Sequence, residues 1–269
     1  MVRCPGCDLV YQDPLPPSGS FVPTFAREPA DLALEERVGA RRSSHFRRFL
    51  AEAGQPGTLL DVGCGYGFFL KLAQGAGWET TGVDVDSRAV SYARGQLRVN
   101  ALHGDLRSFQ FPAGSFDLVT LWNVLDHVPD PLQLLQEIHR VSKVGGRVFI
   151  RTPNAVWHVL NFRWTGLLRS LGWCAALDEA PYMTFVFHLA SFSRSTLRLL
   201  IERAGLVLLH IGNSAPIKGD PYLGTGPAGE LLVDLAKLSV HGVAQAVRTL
   251  SRGRWLLGPS LEAYARREV

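Results

Sequence analysis

The sequence lacks any long uninterrupted apolar run, which argues against a transmembrane helix. Its first twelve residues, MVRCPGCDLVYQ, lack the apolar core of a secretion signal. Cysteine is scarce, with four in 269 residues, and the irregular spacing of these cysteines does not form a disulfide framework. We therefore expect a protein of the reducing cytoplasm.

The sequence also has little net charge. The excess is only +4, and the basic residues fall in short clusters that we interpret as solvated faces. Because no large basic face is evident, a nucleic-acid partner is disfavoured. The hydrophobic fraction of 46% and the charged fraction of 19% are typical of a soluble globular protein. A chain of this length holds one sizeable α/β domain with an appendage.

The stretch that organises the chain is Thr58–Phe69, TLLDVGCGYGFF. A short β-rich run is followed by a turn with Gly63, Gly65 and Gly67 and then by helix-forming residues. This pattern predicts the first strand–turn–helix unit of a nucleotide-type α/β sheet. Glycine permits a tight turn and lets a ligand approach the main chain.

The spacing and charge of this turn indicate which ligand it binds. It reads G-x-G-x-G, one residue shorter than the dinucleotide pattern G-x-G-x-x-G. Asp61, two residues before the first glycine, would repel a pyrophosphate and attract a cationic group. S-adenosylmethionine carries a sulfonium and an ammonium, so this charge favours it over NAD. An NAD-dependent Rossmann enzyme is kept as an alternative.

In its D-x-G-x-G-x-G form, the turn resembles the first motif of the class I S-adenosylmethionine-dependent methyltransferases. The span Phe116–Pro153 resembles the family over nearly every position, including a strand followed by a leucine-acid-histidine-valine turn. The resemblance implies an α/β fold with a Rossmann-like, mostly parallel seven-stranded sheet, helices on both faces and an antiparallel last strand. It also implies methyl transfer to a small-molecule acceptor.

Three acidic residues, Asp61, Asp84 and Asp105, lie at the carboxyl ends of predicted strands, where ligands of open α/β sheets bind. Asp84, about twenty residues beyond the glycine turn, is placed to accept hydrogen bonds from ribose hydroxyls. Asp86 is the rival acid, but we interpret it as the N-terminal residue of a helix. By resemblance, Asp105 accepts from the adenine amine and the backbone of Leu106 helps to read the ring. The cofactor-binding prediction is completed by Cys64 and Tyr66 in the turn, Val85 after Asp84, and Trp122 and Asn123 beside the transferable methyl group.

Two histidines are candidates for a general base. A hydroxyl or amine acceptor must lose a proton, whereas a carbanion acceptor would not need a base. His127 follows the fourth predicted strand at the methyl-facing edge, and His188 follows a predicted lid. Whether the methyl group goes to oxygen, nitrogen or carbon is left open, as is a non-catalytic adaptor that keeps the fold as an interaction surface.

We predict five segments along the chain. Residues 1–17 resemble the second half of a zinc ribbon, with Cys4 and Cys7 as half of a site that needs four ligands. We expect no bound zinc unless other residues complete that site. Residues 18–56 form a linker and a helical cap, and residues 57–152 form the cofactor-binding core. Residues 153–190 form a lid, rich in tryptophan and arginine, and residues 191–269 complete the core.

Two segments bear on the chain's partners. The aromatic lid suits a natural-product core, a nucleotide-linked sugar, or a quinone or lipid precursor. Residues 230–250 form an amphipathic helix with polar positions on one stripe. We expect its apolar face to pack on the core or in a homodimer, with peripheral membrane contact as the alternative.

Overall fold

The structure is a computed structural model, and it describes residues 2–7, 9–11, 13, 32–170, 188–217 and 227–268. The predicted linker and cap over 18–56 lies outside these residues at 18–31, and the predicted lid over 153–190 lies outside them at 171–187. The five-segment division stays a prediction.

A seven-stranded sheet forms the centre of the molecule, with the strand order β5-β4-β3-β6-β7-β10-β9. Neighbouring strands from β5 to β7 pair in parallel, whereas β10 is antiparallel to both β7 and β9. The predicted seven-stranded sheet with an antiparallel last strand is therefore confirmed. The strands are β1 Val2–Arg3, β2 Val10–Tyr11, β3 Thr58–Val62, β4 Glu79–Asp84, β5 Ala101–His103, β6 Phe116–Trp122, β7 Ser142–Pro153, β8 Ala190–Ser191, β9 Val207–Asn213 and β10 Ser260–Arg266.

Helices cover both faces of this sheet because its strands alternate apolar side chains between two cores. In β6, the side chains of Val119 and Leu121 lie in one hydrophobic core. Leu118 lies in a second core, and Trp122 packs against that second core. The first core contains residues of α4 and α6, and the second contains residues of α1, α2 and α3. The helices are α1 Leu32–Glu52, α2 Phe68–Gly75, α3 Ser87–Gly95, α4 Pro131–Val141, α5 Ala155–Ser170, α6 Arg194–Arg203 and α7 Pro227–Leu250.

Local sequence signals place the starts of α3 and α4. The side chain of Asp86 accepts from the backbone N–H groups of Arg88 and Ala89 and so caps α3, which confirms its interpretation as a helix N-terminal residue. Asp130 caps α4 in the same way, and Pro131 occupies the first helical position.

The N-terminal residues form a small separate sheet rather than an isolated segment. Strands β1 and β2 form an antiparallel pair, and β2 pairs with β8. The Thr196 hydroxyl of α6 donates to the carbonyl of Cys7 at 2.9 Å. Among the described residues, no third cysteine, histidine or acid joins Cys4 and Cys7 in a group that could hold a metal ion.

Strand β7 contains two consecutive glycines, Gly145 and Gly146. It begins at Ser142 and runs through both of them, and its register against β6 is irregular there, since Ser142 pairs with Phe116 and Arg147 with Leu118. The glycines suit this irregularity, since Gly145 has a φ of +78° and a Cβ on Gly146 would lie 2.7 Å from the Lys143 carbonyl oxygen.

One sequence prediction needs correction: helix α7 begins at Pro227 rather than Glu230. Its apolar face was expected to pack on the core or in a homodimer. Packing on the core is contradicted, because the leucines of this face are exposed and the polar stripe is the half-buried side. The homodimer and the membrane contact stay predictions. Among the described residues, no helix is both long enough and apolar enough to cross a membrane.

Candidate functional site

The glycine turn lies at the carboxyl end of β3 and is tied to β4. The backbone N–H groups of Gly63 and Cys64 both donate to the carbonyl of Val83, at 2.8 and 3.1 Å. Gly63, Gly65 and Gly67 have φ values of +70°, +51° and +81°, which L-residues with side chains rarely adopt. The three glycines of the motif are therefore required by the backbone path.

Only one of these glycines faces open space. A Cβ on Gly63 would lie 2.3 Å from Val124 Cγ2, and a Cβ on Gly67 would lie 2.9 Å from the Cβ of Ala93. A Cβ on Gly65 would meet no atom within 4 Å. Gly63 and Gly67 thus allow close packing, whereas Gly65 leaves the room through which a ligand can reach the main chain.

Asp84 connects this turn to the end of β4. Its Oδ2 accepts from the backbone N–H of Gly65 at 2.7 Å, and its Oδ1 accepts from that of Asp86 at 2.8 Å. Burial raises the pKa of Asp84, while these backbone hydrogen bonds oppose the shift. Because a carboxylate has further lone pairs, the group can still accept from ribose hydroxyls.

Asp61 lies beneath the turn rather than on its surface. It is buried and accepts from the Thr120 hydroxyl at 2.7 Å. Burial raises its pKa to about 8, and the charge of Asp84 adds to the shift. The neighbouring Cys64 is also buried, and burial raises the pKa of its thiol, so only its backbone is available to a ligand.

The predicted adenine end lies beside these residues. Val85 directly follows Asp84 and is 64% exposed, so it offers an apolar surface for a ring. Asp105 caps a short 3-10 helix that begins at the buried Leu106. Asp105 Oδ1 also pairs with Arg107 Nε at 3.0 Å, and this hydrogen bond holds the pKa of Asp105 below its usual value. The predicted adenine contact would have to share this carboxylate with Arg107.

Trp122, which was predicted beside the transferable methyl group, packs against an aromatic cluster of the hydrophobic core. The ring centroids of Phe46 and Phe149 lie 4.8 and 4.5 Å from that of Trp122. Trp122 Nε1 is buried and has no hydrogen-bond partner among the described residues. On the turn itself, Tyr66 packs edge-on against Tyr92 with centroids 5.4 Å apart.

Asn123 ends β6 in a backbone conformation that favours glycine, with a φ of +57°. Its Oδ1 accepts from Arg151 Nη1 at 2.6 Å, and Arg151 Nε donates to the Ser214 hydroxyl at 3.0 Å. Desolvation and the charge of Arg42 lower the pKa of Arg151 to about 10. A cation thus lies next to the predicted methyl-transfer position, held by two neutral acceptors.

Both candidate bases converge on a single buried carboxylate, that of Asp126. His188 Nδ1 lies 2.6 Å and His127 Nε2 lies 3.1 Å from Asp126 Oδ2. Asp126 is fully buried, and its Oδ1 has no hydrogen-bond partner among the described residues. Although burial raises the pKa of Asp126, the hydrogen bond from His188 and the two imidazoles hold it below the usual value.

Asp126, His127 and His188 each offer one atom that could coordinate a metal ion, and these three atoms all lie within 4.8 Å of one another. A third histidine lies near them, since the ring centroids of His158 and His188 are 6.0 Å apart. Burial and the charge of His188 lower the pKa of His158 to about 4.

Sequence reasoning missed two residues of this site. Asp126 was part of the leucine-acid-histidine-valine turn that carried the family resemblance, but no role was assigned to it. Arg151 follows the apolar run of β7, and an arginine directly after that run is the signal that could have identified it.

Comparisons with known proteins bear on the family and the fold of the chain. A family model described as "Methyltransferase domain" matches residues 34–211. A ubiquinone biosynthesis O-methyltransferase from Pseudomonas paraeruginosa is 36% identical over 104 residues, which cover 36% of this chain and 44% of that protein. An enzyme of the same name from Coxiella burnetii is 28% identical over 148 residues, which cover 53% of this chain and 58% of that protein. The chain thus spans about half the length of the curated relatives it matches.

Among solved structures, the fold is similar to that of a SAM-dependent methyltransferase from Archaeoglobus fulgidus. The TM-score is 0.53 at 20% identity, over 86% of this chain and 93% of that chain. At this identity the likeness supports the fold alone.

Proposed function

The chain belongs to the methyltransferase domain family, whose model matches more than half of it, and we propose that it transfers a methyl group from S-adenosylmethionine to a hydroxyl group of a small molecule. The observation that carries this proposal is the convergence of His188 and His127 on buried Asp126. Such a group would remove a proton from an acceptor, which methylation of a hydroxyl requires.

The residues present fit S-adenosylmethionine. Gly65 leaves open space above the main chain, Asp84 retains acceptor capacity for ribose hydroxyls, and Val85 offers an exposed apolar surface for adenine. When bound, the cofactor supplies a methyl group on a positively charged sulfur. The family match disfavours the NAD-dependent alternative.

His188 is the better base of the two candidates. Asp126 is ionised because its pKa is lowered, and a carboxylate can only accept, so the proton of neutral His188 resides on Nδ1. This leaves His188 Nε2 as the acceptor nitrogen. His188 Nε2 takes the hydroxyl proton of the acceptor, and Asp126 stabilises the resulting imidazolium. His127 Nε2 lies within ion-pair distance of the same carboxylate oxygen, so its imidazole adds to the electrostatic surroundings of Asp126.

The relatives named ubiquinone biosynthesis O-methyltransferase support a hydroxyl acceptor on a ring. Arg151 next to Asn123 suits an acceptor with a partial or full negative charge. A ring hydroxyl made more acidic by its substituents meets this condition.

The test is an acceptor screen with the full chain. Purified protein is incubated with S-adenosylmethionine and a panel of catechols, hydroxyquinols, amines and carbon acids. Formation of S-adenosylhomocysteine and of the methylated product is followed by mass spectrometry. We expect methyl ethers from ring hydroxyls. Cofactor binding without turnover of any acceptor would favour the non-catalytic adaptor instead.

A further inference from the structure

Helix α7 turns its apolar side away from the protein. Leu232 is 68% exposed and Leu250 is 86% exposed, and the residues between them repeat this exposure on one side of the helix. The exposed apolar side chains of this face are Leu231, Leu232, Leu235, Leu238, Val243 and Leu250. Contiguous exposed apolar surface of this kind marks an interaction site.

The opposite side of α7 carries its polar stripe beside half-buried valines, and polar contacts attach it to the body. Glu230 forms an ion pair with Arg41 of α1. Lys237 Nζ donates to the carbonyl of Ile217 at 3.3 Å, and the Asn213 side chain of β9 donates to the carbonyl of Ala244 at 3.1 Å. Because the polar stripe makes these contacts, the apolar face is held outward by the fold itself.

A second group of exposed apolar residues lies on α5, whose start is joined to the loop after α7. The Asn154 amide, immediately before α5, donates to the carbonyls of Leu256 and Gly258, both at 2.8 Å. This joins the loop after α7, where Trp255 is 67% exposed, to the start of α5. The exposed large apolar residues of α5 are Leu160, Phe162, Trp164 and Leu167. We refer to these residues, Trp255 and the α7 face together as the apolar surface.

Basic residues lie beside the exposed tryptophans of the apolar surface. Exposed Arg163 precedes Trp164, and exposed Arg254 precedes Trp255, with Arg252 exposed nearby. From residue 231 to residue 255 the chain has one acidic residue, Asp234, and four basic ones. Tryptophan prefers the boundary between lipid headgroups and acyl chains, and arginine there pairs with anionic headgroups.

From these observations we infer that the apolar surface docks the protein on the face of an anionic lipid bilayer. A helix of 24 residues is about 36 Å long and would lie flat with its leucines in the headgroup boundary. The exposed arginines supply the charge complementarity. The site lies near this surface, since His158 of α5 adjoins His188. Docking itself does not depend on the proposed function. The further step, in which docking brings acceptors dissolved in the bilayer to the site, rests on the proposed function.

The test is vesicle co-sedimentation of the full chain without cofactor or acceptor, so that its failure is independent of catalysis. Vesicles of phosphatidylcholine alone are compared with vesicles that also contain phosphatidylglycerol. We expect at least about tenfold stronger partitioning onto the anionic vesicles. The variant Leu231→Gln/Leu235→Gln/Leu238→Gln should lose at least about tenfold of this partitioning. Arg252→Gln/Arg254→Gln should reduce binding to the anionic vesicles only.

The matched control is Val144→Gln/Leu209→Gln, which removes two exposed apolar side chains outside the apolar surface. It should bind vesicles as the wild type does. Equal binding by the control and the triple variant would overturn the inference. The inference would also be overturned if the wild type bound neither vesicle type but formed a dimer, as measured by light scattering, and the triple variant formed none. That result would make the face a self-association surface. Thermal unfolding of each variant confirms that it is folded.

Discussion

His188 Nδ1 lies 2.6 Å from Asp126 Oδ2, although 62 residues separate the two along the chain. The backbone N–H of Leu189 also donates to the carbonyl of Asp126, at 2.8 Å. The chain returning to the core is thus held against the turn after β6 by both a side-chain bond and a backbone bond. This contact gives the proposed base its orientation.

Asp126→Asn should lower kcat by a factor of about 100 to 10,000, the range for a lost general-base function. The amide keeps the size of the side chain but removes the charge that fixes the proton on His188 Nδ1 and stabilises the imidazolium. His188→Gln should cause a similar loss. The measurement is steady-state kinetics on the acceptor identified by the screen, with S-adenosylmethionine affinity measured in parallel.

The matched control for these variants is His139→Gln at the end of α4, whose ring lies beside Gly205 and near the charge of Arg267. Its kcat should equal that of the wild type. Unchanged kcat in both Asp126→Asn and His188→Gln would refute the base assignment. Loss of cofactor affinity in proportion to kcat would instead indicate a structural role.

Alanine substitutions at Gly63 and Gly65 should distinguish a glycine required for packing from a glycine required for ligand access. Gly63→Ala combines a positive φ with a Cβ 2.3 Å from Val124, so the free energy of unfolding should fall by about 2–3 kcal/mol. Gly65→Ala meets no neighbouring atom, so it should cost only about 1 kcal/mol in unfolding free energy. The Gly65 variant should nevertheless weaken S-adenosylmethionine binding at least about tenfold, because the methyl group fills the ligand's approach.

Urea unfolding and calorimetric titration measure these two effects. Gly95→Ala is the control, since a Cβ there meets no atom within 4 Å and the position lacks a positive φ. It should be neutral or slightly stabilising and bind the cofactor normally. Equal cofactor affinity in Gly65→Ala and Gly95→Ala would show that the open space above Gly65 is not used.

Asp61 should make stability depend on pH. Burial raises its folded pKa from 3.8 to about 8, so the folded protein holds a proton that the unfolded chain has released between these values. The stabilisation is fully present below the unfolded pKa and is lost as pH rises through the folded pKa. Asp61→Asn keeps an acceptor for Thr120 but does not ionise. Its free energy of unfolding should therefore increase relative to wild type as pH rises to about 8, by on the order of a few kcal/mol.

Urea unfolding at intervals across this pH range checks the prediction. Asp130→Asn serves as the control, because that residue caps a helix at the surface and asparagine caps as well. Its curve should follow that of the wild type. A constant difference between Asp61→Asn and wild type at every pH would contradict the assignment of a raised pKa.

The sequence predicted the parts of the fold that short-range patterns determine. The predicted antiparallel last strand is β10, Ser260–Arg266. The glycine motif located the turn, because three positive φ values in five residues leave few other residue types available. Asp84 could be placed at the end of β4 because one helix and one strand set its distance from the turn along the sequence.

The parts that were missed depend on contacts between distant segments. The pairing of Asp126 with His188 requires the chain beyond the lid to return to the turn after β6, and no local pattern encodes that path. The prediction that the apolar face of α7 packs on the core was wrong, because periodicity identifies an apolar face but not which side of the helix the protein covers. There, contacts of Glu230, Lys237 and Ala244 with the body decide the orientation.

The most direct test of the account is calorimetric titration of the full chain with S-adenosylmethionine and S-adenosylhomocysteine. We predict dissociation constants on the order of micromolar for the wild type. Asp84→Asn should weaken binding at least about tenfold, because it removes the charged acceptor shared by the turn and the ribose. Asp86→Asn, which keeps the cap of α3, should bind normally. Absence of binding to either ligand in a folded sample, or equal affinity in the two variants, would contradict the proposed cofactor site.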